Sequence, residues 1–354
     1  MVNGLYPAHI PAMNIDYLLY EGKATSFLNN RISKYVIGIC AGCSIFQPIE
    51  LRLAILVRLA LLGKIGMPEL PEVETIINDL NKNIPGLRIR DIWSDIGRFD
   101  VEKLKLKIVG NKIEKIKRFG KNILFFLTGG RIMLVHQKMT GHLMYGKWKI
   151  EKTSDGQEKI SSLLKGPFQE KVNNYIHLIF YLNNGRQIAL SDLRKFAKVE
   201  VFDVRSAGEI KEIKNLGPDA LTVEFSDFQK NIAGEKGSVK QVLMNQKFIA
   251  GIGNIYSDEI LWKAGIHPER KANFLNIIAL KKIFKAMKNI LKKAVKKRGT
   301  SISDFRDAAG KKGMYGNHLF VYGRKGKKCL KCASAIKRLK IGGRGSCFCP
   351  VCQK

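Results

Sequence analysis

Acidic side chains are scarce in this 354-residue sequence, which has 30 Asp and Glu against 62 Lys and Arg and a formal net charge of +32. Residues 1–66 hold six basic and three acidic residues, which leaves 56 basic and 27 acidic residues, a net +29, for residues 67–354. Such an excess indicates a polyanionic partner rather than a particular fold. Nucleic acid is the first hypothesis, and a ribosomal or membrane-surface protein is the alternative.

The sequence also lacks a long apolar run. The stretch Leu51–Leu62 is too short to span a bilayer and is interrupted by Arg52 and Arg58. The chain does not open with a charged segment followed by an apolar one, as a secretory signal would. We therefore expect a cytoplasmic protein with no membrane partner.

Cysteine is sparse as well, with seven in all. Without a secretory signal, cysteine pairs bind metal more often than they cross-link. Two CxxC pairs, Cys329 with Cys332 and Cys349 with Cys352, are separated by 16 residues, a spacing typical of a four-cysteine zinc site. Because all four ligands would come from the protein, we expect one structural Zn²⁺. Cys347 is interpreted as a packing residue.

One unusual stretch is Met67-Pro-Glu-Leu-Pro-Glu-Val-Glu-Thr75, which looks like the first residues of a protein although 66 residues precede it. Removal of Met67 would leave Pro68 with a free secondary amine. An α-amino group has a pKa of about 8, against about 10.4 for lysine, so far more of it is neutral near pH 7. Pro68 is therefore a candidate nucleophile for a Schiff base with a sugar aldehyde carbon, and Glu69 a candidate for proton transfer.

Residues 1–66 fit the rest of the sequence poorly, because they mix short apolar pieces with Gly and Pro and contain an isolated pair, Cys40 and Cys43. We expect them to be an over-extended reading frame or a removable leader. A genuine regulatory extension is the alternative. If the extension were retained, the nitrogen of Pro68 would be an amide and could not act as a nucleophile.

Hydrophobic periodicity predicts one helix followed by a strand-rich half. From Pro71 to about Asn81, apolar residues recur at helical spacing, and Pro71 suits a first helical turn. Between residues 86 and 202, short β-branched and aromatic runs separated by turns such as Thr128-Gly-Gly predict an antiparallel β-sandwich. The polar stretch 151–174 is predicted to be an irregular loop insertion.

Beyond a linker near residues 203–218 the pattern becomes helical. Helices are predicted over Ser238–Asn245 and Asn254–Ala264, joined by a double turn with two glycines, with Asn254 at the N-cap where N–H groups bind phosphate readily. The predicted helix Leu280–Arg298 has one apolar stripe and nine Lys and Arg without an acidic residue. These charges indicate a solvated face or a surface near DNA, and the sequence favours neither.

The Met-Pro-Glu stretch, the strand-rich half, the glycine double turn and the four cysteines together resemble the formamidopyrimidine-DNA glycosylases, bacterial enzymes that excise oxidised purines. The resemblance covers residues 67–354. It implies an α+β fold with an N-terminal antiparallel β-sandwich (67–202), a helix–two-turns–helix domain (203–314) and a C-terminal zinc-finger β-hairpin (315–354). It further implies a bifunctional glycosylase and AP lyase of base excision repair, a nucleoid-associated monomer that acts on damaged double-stranded DNA.

The resemblance also implies roles for four residues in the chemistry. Pro68 would attack the sugar of a nucleotide flipped out of the duplex, and Glu69 would transfer protons. Lys121, in Arg118-Phe-Gly-Lys121, would serve β-elimination, although from the residues alone it is more often a basic residue entering a strand. Arg344, in the predicted finger, would bind phosphate and assist δ-elimination.

Other residues are implied to contact DNA. Met139, Arg194 and Phe196 resemble the residues that enter the gap left by a flipped base, although Met and Phe are more often core. The remaining implied DNA contacts are His136, Tyr175, Lys236, Lys240 and Asn254. Tyr175 replaces a family histidine, Lys236 and Glu235 are alternative matches to one basic position, and His136 is equally consistent with a buried structural histidine. Gly310–Asn317 lies where the family has a lid over the base.

Two other functions stay open at this point. One is a sister glycosylase for oxidised pyrimidines, against which Leu70-Pro-Glu72 and the Asp192–Phe196 loop favour the purine branch. The other is a non-catalytic zinc-finger DNA-binding protein, which becomes the better hypothesis if residues 1–66 are retained.

Overall fold

The structure, a computed structural model, describes residues 67–154, 156–204, 206–302 and 304–354. The expectations for residues 1–66, including the Cys40 and Cys43 pair, lie outside these residues. Among the described residues, none of the helices combines the length and the apolar character needed to cross a membrane.

Antiparallel strands make up most of the first half, and two further strands form a hairpin near the C-terminus. The strands are β1 Ile89–Ser94, β2 Ile113–Phe119, β3 Asn122–Leu127, β4 Arg131–His136, β5 His142–Gly146, β6 Trp148–Lys152, β7 Glu158–Ser162, β8 Ile176–Leu182, β9 Gln187–Ser191, β10 Lys198–Asp203, β11 Lys337–Ile341 and β12 Arg344–Phe348. One four-stranded sheet has the order β1–β8–β9–β5 and the other has the order β10–β4–β3–β2. Apolar residues from both sheets, such as Ile92 of β1 and Phe125 of β3, share one buried core. The predicted antiparallel sandwich is therefore confirmed.

The second half is mainly helical, and two further helices lie in the first half. The helices are α1 Leu70–Leu80, α2 Val101–Ile108, α3 Lys211–Lys214, α4 Phe225–Ile232, α5 Val239–Met244, α6 Asn254–Ala264 and α7 Ile277–Lys296. The apolar stripe of α7, which includes Leu280, Ile283 and Met287, is buried in a core shared with α4, α5 and α6. This helix begins earlier than predicted because the side chain of Asn276 accepts the N–H of Ala279 at 2.9 Å and caps it.

Helix α1 belongs to both halves. Leu70 lies in the helical core, whereas Val73 and Ile76, in the next turn, lie in the sandwich core. The backbone N–H of Leu70 also donates to the carbonyl of Gly251 at 3.1 Å. Two residues, Phe305 and Ala308, return from beyond α7 and enter the sandwich core. The end of the segment predicted as the helical domain, residues 203–314, therefore contributes to the sandwich core.

Residues 151–174 are not the irregular loop that was predicted. β6 pairs with β7 as a hairpin, and 3-10 helices follow at Gly166–Gln169 and Lys171–Asn174. The rings of Trp148 and Phe168 meet edge to face with centroids 5.7 Å apart, and they cover the outer surface of the β1–β8–β9–β5 sheet. The polar composition of the stretch reflects its exposed side and does not reveal the few apolar residues that pack.

Candidate active site

Glu69 is the best-defined element of the site. It lies directly before α1, and only 2% of it is exposed. Its carboxylate accepts the backbone N–H groups of Gly253 at 2.7 Å and Ile255 at 2.8 Å. These groups form the N-terminus of α6, where unpaired N–H groups and the helix dipole favour an anion. The N-cap of α6 is Gly253, so the prediction that Asn254 is the N-cap was wrong by one residue.

The side chain of Lys121, the residue directly before β3 of the sandwich, lies beside Glu69 at Gly253. A Cβ atom on Gly253 would lie 2.4 Å from the Glu69 carboxyl carbon and 2.7 Å from the Lys121 ammonium, so only glycine fits between them. Burial raises the pKa of Glu69, and the Lys121 charge and the α6 N–H groups oppose that rise. Burial lowers the pKa of Lys121, and Glu69 opposes that change. Burial thus favours the neutral form of both groups, while each charge favours the charged form of the other.

Pro68 is buried immediately before Glu69. Its neighbour in the sequence, Glu69, is the residue whose carboxylate lies beside Lys121 at Gly253. In the full sequence the Pro68 nitrogen is bonded to Met67.

Two neighbouring residues that sequence reasoning left without a role complete the site. Glu72 is 1% exposed and accepts the hydroxyl of Tyr256 and the N–H of Thr300, both at 2.6 Å. Its other oxygen accepts the N–H of Glu69 at 2.9 Å. Burial, followed by the charge of Glu69, raises the pKa of Glu72 to about 7. The only signal in the sequence was its place three residues after Glu69, which is the capping-box spacing.

Arg118 is the second such residue. Its guanidinium donates to Glu74 of α1 at 2.5 Å and to both carboxylate oxygens of Asp219 in the helical half. The turn at Gly120, with φ of +58°, then leads to Lys121. The buried arginine thus fixes the turn that presents Lys121 to Glu69.

The structure brings together the three residues expected to fill the gap left by a flipped base. Arg194 donates to the sulfur of Met139 at 3.3 Å, and its guanidinium lies 4.7 Å from the centre of the Phe196 ring. All three are half-buried and none is a core residue. The residues before Met139 and Phe196, Lys138 and Lys195, have φ of +54° and +57°, so both loops turn sharply at the cluster.

The predicted phosphate contacts differ in placement. Lys236 is exposed, whereas Tyr175 and Asn254 are half-buried. His136 is half-buried, and its Nδ1 accepts the N–H of Lys138 at 2.9 Å. Burial, with the charges of Lys138 and Lys121, lowers the pKa of His136 to about 4, so this ring is neutral at pH 7.

Lys240 is not placed where a phosphate could reach it. Its side chain is fully buried, and its ammonium lies 2.5 Å from the carboxylate of Asp258, which is also fully buried. The predicted phosphate contact of Lys240 is therefore wrong in this structure. A lysine in the first turn of a short helix gives no sign of burial in the sequence, because the acid that neutralises it is 18 residues away.

The four paired cysteines converge at the C-terminus. The Sγ atoms of Cys329, Cys332, Cys349 and Cys352 all lie within 4.8 Å of one another. Four thiolates at such separations fit the tetrahedral coordination of Zn²⁺, and no position is left for a substrate. Cys347 is 6% exposed and packs beside them, as its interpretation as a packing residue requires.

The finger carries Arg344 towards the site. This arginine is exposed at the start of β12, and its charge lowers the pKa of Lys121. A pocket of about 170 Å³ beside it is lined by Gln241, Met244, Asn245, Ile341 and Gly342. Arg344 is therefore close enough to influence the charge state of Lys121, although the two residues are more than 200 positions apart in the sequence.

Comparisons with known proteins agree with this arrangement. The family model for the formamidopyrimidine-DNA glycosylase N-terminal domain matches residues 67–199. The model for the H2TH domain of the same enzymes matches residues 216–306, and a zinc finger found in FPG and IleRS matches residues 326–354. The described halves and the cysteine cluster coincide with these three matches.

Individual relatives give the same result. A formamidopyrimidine-DNA glycosylase of Listeria monocytogenes is 35% identical over 295 residues, which cover 81% of this chain and 100% of the relative. The Lactococcus lactis Fpg in complex with DNA containing an abasic site has 32% identity and a TM-score of 0.69, with 81% of this chain and 99% of that chain covered. A complex of the same Fpg with DNA containing Fapy-dG has 32% identity and a TM-score of 0.68, with 81% and 100% covered. This chain belongs to the formamidopyrimidine-DNA glycosylase family.

Proposed function

We propose that this protein is a DNA glycosylase of base excision repair that removes oxidised purines and then cuts the strand as an AP lyase. One observation carries the proposal. A buried carboxylate, Glu69, directly follows Pro68 and is held by the N-terminus of α6 opposite Lys121. A secondary amine at Pro68 would therefore have an acid–base partner within one residue.

The first step joins the protein to the sugar. The Pro68 nitrogen forms a bond to C1′ while the glycosidic bond breaks, and the base leaves with the bonding electrons and takes up a proton. Glu69 transfers protons, and burial raises the pKa of its carboxyl group, which favours the protonated form that can donate. Loss of the amine proton and opening of the sugar ring at O4′, which takes up a proton, then give an iminium ion between the Pro68 nitrogen and C1′.

Two eliminations follow through this iminium ion. Loss of a proton from C2′ breaks the C3′–O bond and releases the phosphate on the 3′ side. Loss of a proton from C4′ then breaks the C5′–O bond on the 5′ side. Lys121 acts in the first elimination, and Arg344 binds the phosphate released in the second.

The remaining predicted residues bind the DNA. Met139, Arg194 and Phe196 fill the gap left by the flipped nucleotide, which a cluster joined by an Arg–aromatic contact is suited to do. Asn254, at the first turn of α6, and Lys236, His136 and Tyr175 bind phosphates or lie beside them. Because phosphate contacts release counterions, affinity should fall steeply as salt rises.

The zinc ion is structural in this proposal. Cys329, Cys332, Cys349 and Cys352 hold it, and its role is to fold the hairpin that carries Arg344. In the proposed steps, protons pass between protein side chains and the DNA, and the leaving groups are the base and the two phosphates.

We further propose that the working protein begins at Pro68. The family model begins at residue 67, and 81% of this chain accounts for the whole length of the Listeria relative. An amide nitrogen at Pro68 could not form the imine. The domains would then be 67–202, 203–314 and 315–354, in a cytoplasmic monomer.

The decisive experiment compares the full chain with a version that starts at Met67, whose methionine is removable. Both would be mixed with a duplex containing 8-oxoguanine in the presence of borohydride, which reduces an imine to a stable amine. A covalent adduct from the shorter protein and none from the full chain would support the proposal. No adduct from a protein with a verified Pro68 start would overturn it.

The choice of base needs a separate test. Complexes of relatives contain Fapy-dG, and others contain carbocyclic 8-oxo-G, which favours oxidised purines over oxidised pyrimidines. Excision rates should be compared on duplexes that hold 8-oxoguanine or thymine glycol. Faster release of thymine glycol would favour the sister activity on pyrimidines instead.

A further inference from the structure

The buried pair Lys240 and Asp258 meets the finger beside Arg344. One oxygen of Asp258 accepts the Lys240 ammonium at 2.5 Å and the hydroxyl of Ser346 at 2.7 Å. The other oxygen accepts the N–H of Cys347 at 2.8 Å. Lys240 also reaches the carbonyl of Gly345 at 3.4 Å. The pair thus contacts the three residues that follow Arg344 on β12.

Helix α6 connects this contact to the reacting groups. Asp258 lies about one turn beyond the N–H groups that bind Glu69, so the same rigid helix fixes Glu69 and β12. The hairpin turn before Arg344 is constrained on its other side, because a Cβ atom on Gly342 would lie 2.7 Å from the side-chain amide of Gln241 in α5. The place of Arg344 relative to Glu69 is therefore set through α5 and α6.

Burial of two charges is a poor way to gain stability. Desolvation of an ammonium and a carboxylate offsets most of their attraction, and an apolar pair of equal volume is often as stable. A buried pair can instead select one arrangement, because every shifted register leaves a charge without a partner. Here the arrangement it selects is the register of β12 against α6.

We propose that Lys240 and Asp258 act as positioning residues for Arg344 and do not bind DNA themselves. The pair holds residues 345–347 so that the Arg344 guanidinium lies where the phosphate of the second elimination arrives. This inference rests on the proposed function for the step that Arg344 assists, but not for the position of Arg344 or for DNA binding.

The test measures how affinity for a duplex with a stable abasic-site analogue depends on salt. Each phosphate contact contributes about 0.9 to the slope of log affinity against log salt. Arg344→Ala should lower the slope by about one contact, about 0.9. Lys240→Met and Asp258→Asn should each cause a similar loss, with no further loss when either is combined with Arg344→Ala.

A direct phosphate contact by Lys240 gives the opposite pattern. Lys240→Met would then add to Arg344→Ala, and Asp258→Asn would free the ammonium and raise the slope. Either result would overturn the proposal. An unchanged slope in folded Lys240→Met and Asp258→Asn proteins would overturn it as well.

Glu259→Gln is the matched control. Glu259 is also a buried acid of α6, but it holds a different finger segment through the N–H groups of Phe320, Val321 and Tyr322, at 2.8–2.9 Å. The slope of log affinity against log salt for Glu259→Gln should equal that of the unmodified protein. Ser346→Ala, which removes one hydrogen bond and no charge, should give an intermediate slope and keeps the test valid if the charge variants fold poorly.

The same variants separate the inference from the proposed function. The yield of δ-elimination relative to β-elimination should fall about tenfold in Lys240→Met and in Asp258→Asn, while the rate of borohydride trapping stays within about threefold. Absence of any trapped adduct in a protein with a verified Pro68 start and no substitution would reject the proposed chemistry, and the salt slopes would still decide the positioning role. A loss of trapping equal to the loss of δ-product would overturn the step-specific role.

Discussion

The Glu69 carboxylate accepts the backbone N–H of Gly253 at 2.7 Å, although the two residues are 184 positions apart in the sequence. Helix α6 has a glycine at its N-cap and therefore no side chain of its own to pair with its first N–H groups. Glu69 supplies that missing acceptor from another domain. The Glu69 carboxylate is thus fixed by a helix end, whereas a flexible loop would hold it less firmly.

The charge of Lys121 holds down the pKa of Glu69 against the effect of burial. Lys121→Ala should therefore raise that pKa further, and the limb of the pH–rate profile that Glu69 controls should move to higher pH. The rate of strand cleavage should fall by about 10²-fold or more, as for loss of a positioned proton-transfer group. Single-turnover rates between pH 5 and 9 measure both effects. Lys117→Ala, an exposed lysine of β2, is the control and should change neither.

Phe196→Ala should weaken binding to a duplex that contains an abasic-site analogue by about 1–3 kcal/mol, the usual loss for a stacking aromatic. Binding to the same lesion in single-stranded DNA should change much less, because no gap in a base stack has to be filled. Fluorescence anisotropy on both substrates gives the comparison. Leu193→Ala, in the same loop and 45% exposed, should leave both affinities unchanged. Equal losses from the two substitutions would contradict a specific role for Phe196.

Cys349→Ser should remove the zinc ion, because a serine hydroxyl does not replace a thiolate at a four-cysteine site. The hairpin that carries Arg344 should lose its fold, and affinity for DNA should fall at every salt concentration. Metal analysis should give one zinc per chain for the unmodified protein and close to none for this variant. Cys347→Ser should keep its zinc, since Cys347 lies outside the four-sulfur cluster.

Asn173→Ala should destabilise the protein by about 1–3 kcal/mol, because it leaves buried groups without hydrogen-bond partners. The Asn173 amide donates to the carbonyls of Pro167 and Gly310 at 2.7 and 3.1 Å, and its oxygen pairs with His142 at 2.8 Å. Thermal unfolding measures the loss. The exposed neighbour provides the control, and Asn174→Ala should have little effect.

Burial raises the pKa of Glu259 to about 7. Between about pH 4.5 and 7 the folded protein keeps a proton on Glu259 that the unfolded chain has lost, so this group makes stability fall as pH rises through that window. The total is about 3 kcal/mol, and no further loss is expected above pH 7. In Glu259→Gln this contribution is absent, so the difference in melting temperature between the two proteins should change between pH 5 and 7. The exposed acid substitution Glu114→Gln should give a constant difference.

Local signals in the sequence were enough for the sandwich, helix α1 and the zinc site. Alternation, a proline in a first helical turn and cysteine spacing each act over a few residues. The hairpin at residues 148–162 was missed because few of its residues pack, and its apolar signal is diluted by polar neighbours. Lys240 was misplaced for a different reason: its burial depends on Asp258, and no local pattern reports a partner on another helix.

Some residues of the candidate site could likewise be identified from local sequence signals, whereas others could not. Pro68 and Glu69 stand out as a motif, but Arg118 and Glu72 acquire meaning only through contacts with Asp219 and Thr300. Such contacts join segments more than 100 residues apart. Only the three-dimensional arrangement could assign them.

The dependence of Glu69 on Gly253 has a consequence for synthesis on the ribosome. A chain whose translation stops anywhere before residue 253 already contains Pro68, Glu69 and the whole strand-rich half. It lacks the N–H groups that hold the Glu69 carboxylate and the glycine that admits Lys121 beside it. We therefore expect an unfinished chain to lack the fixed Glu69–Lys121 arrangement, which can form only when the helical half has been made.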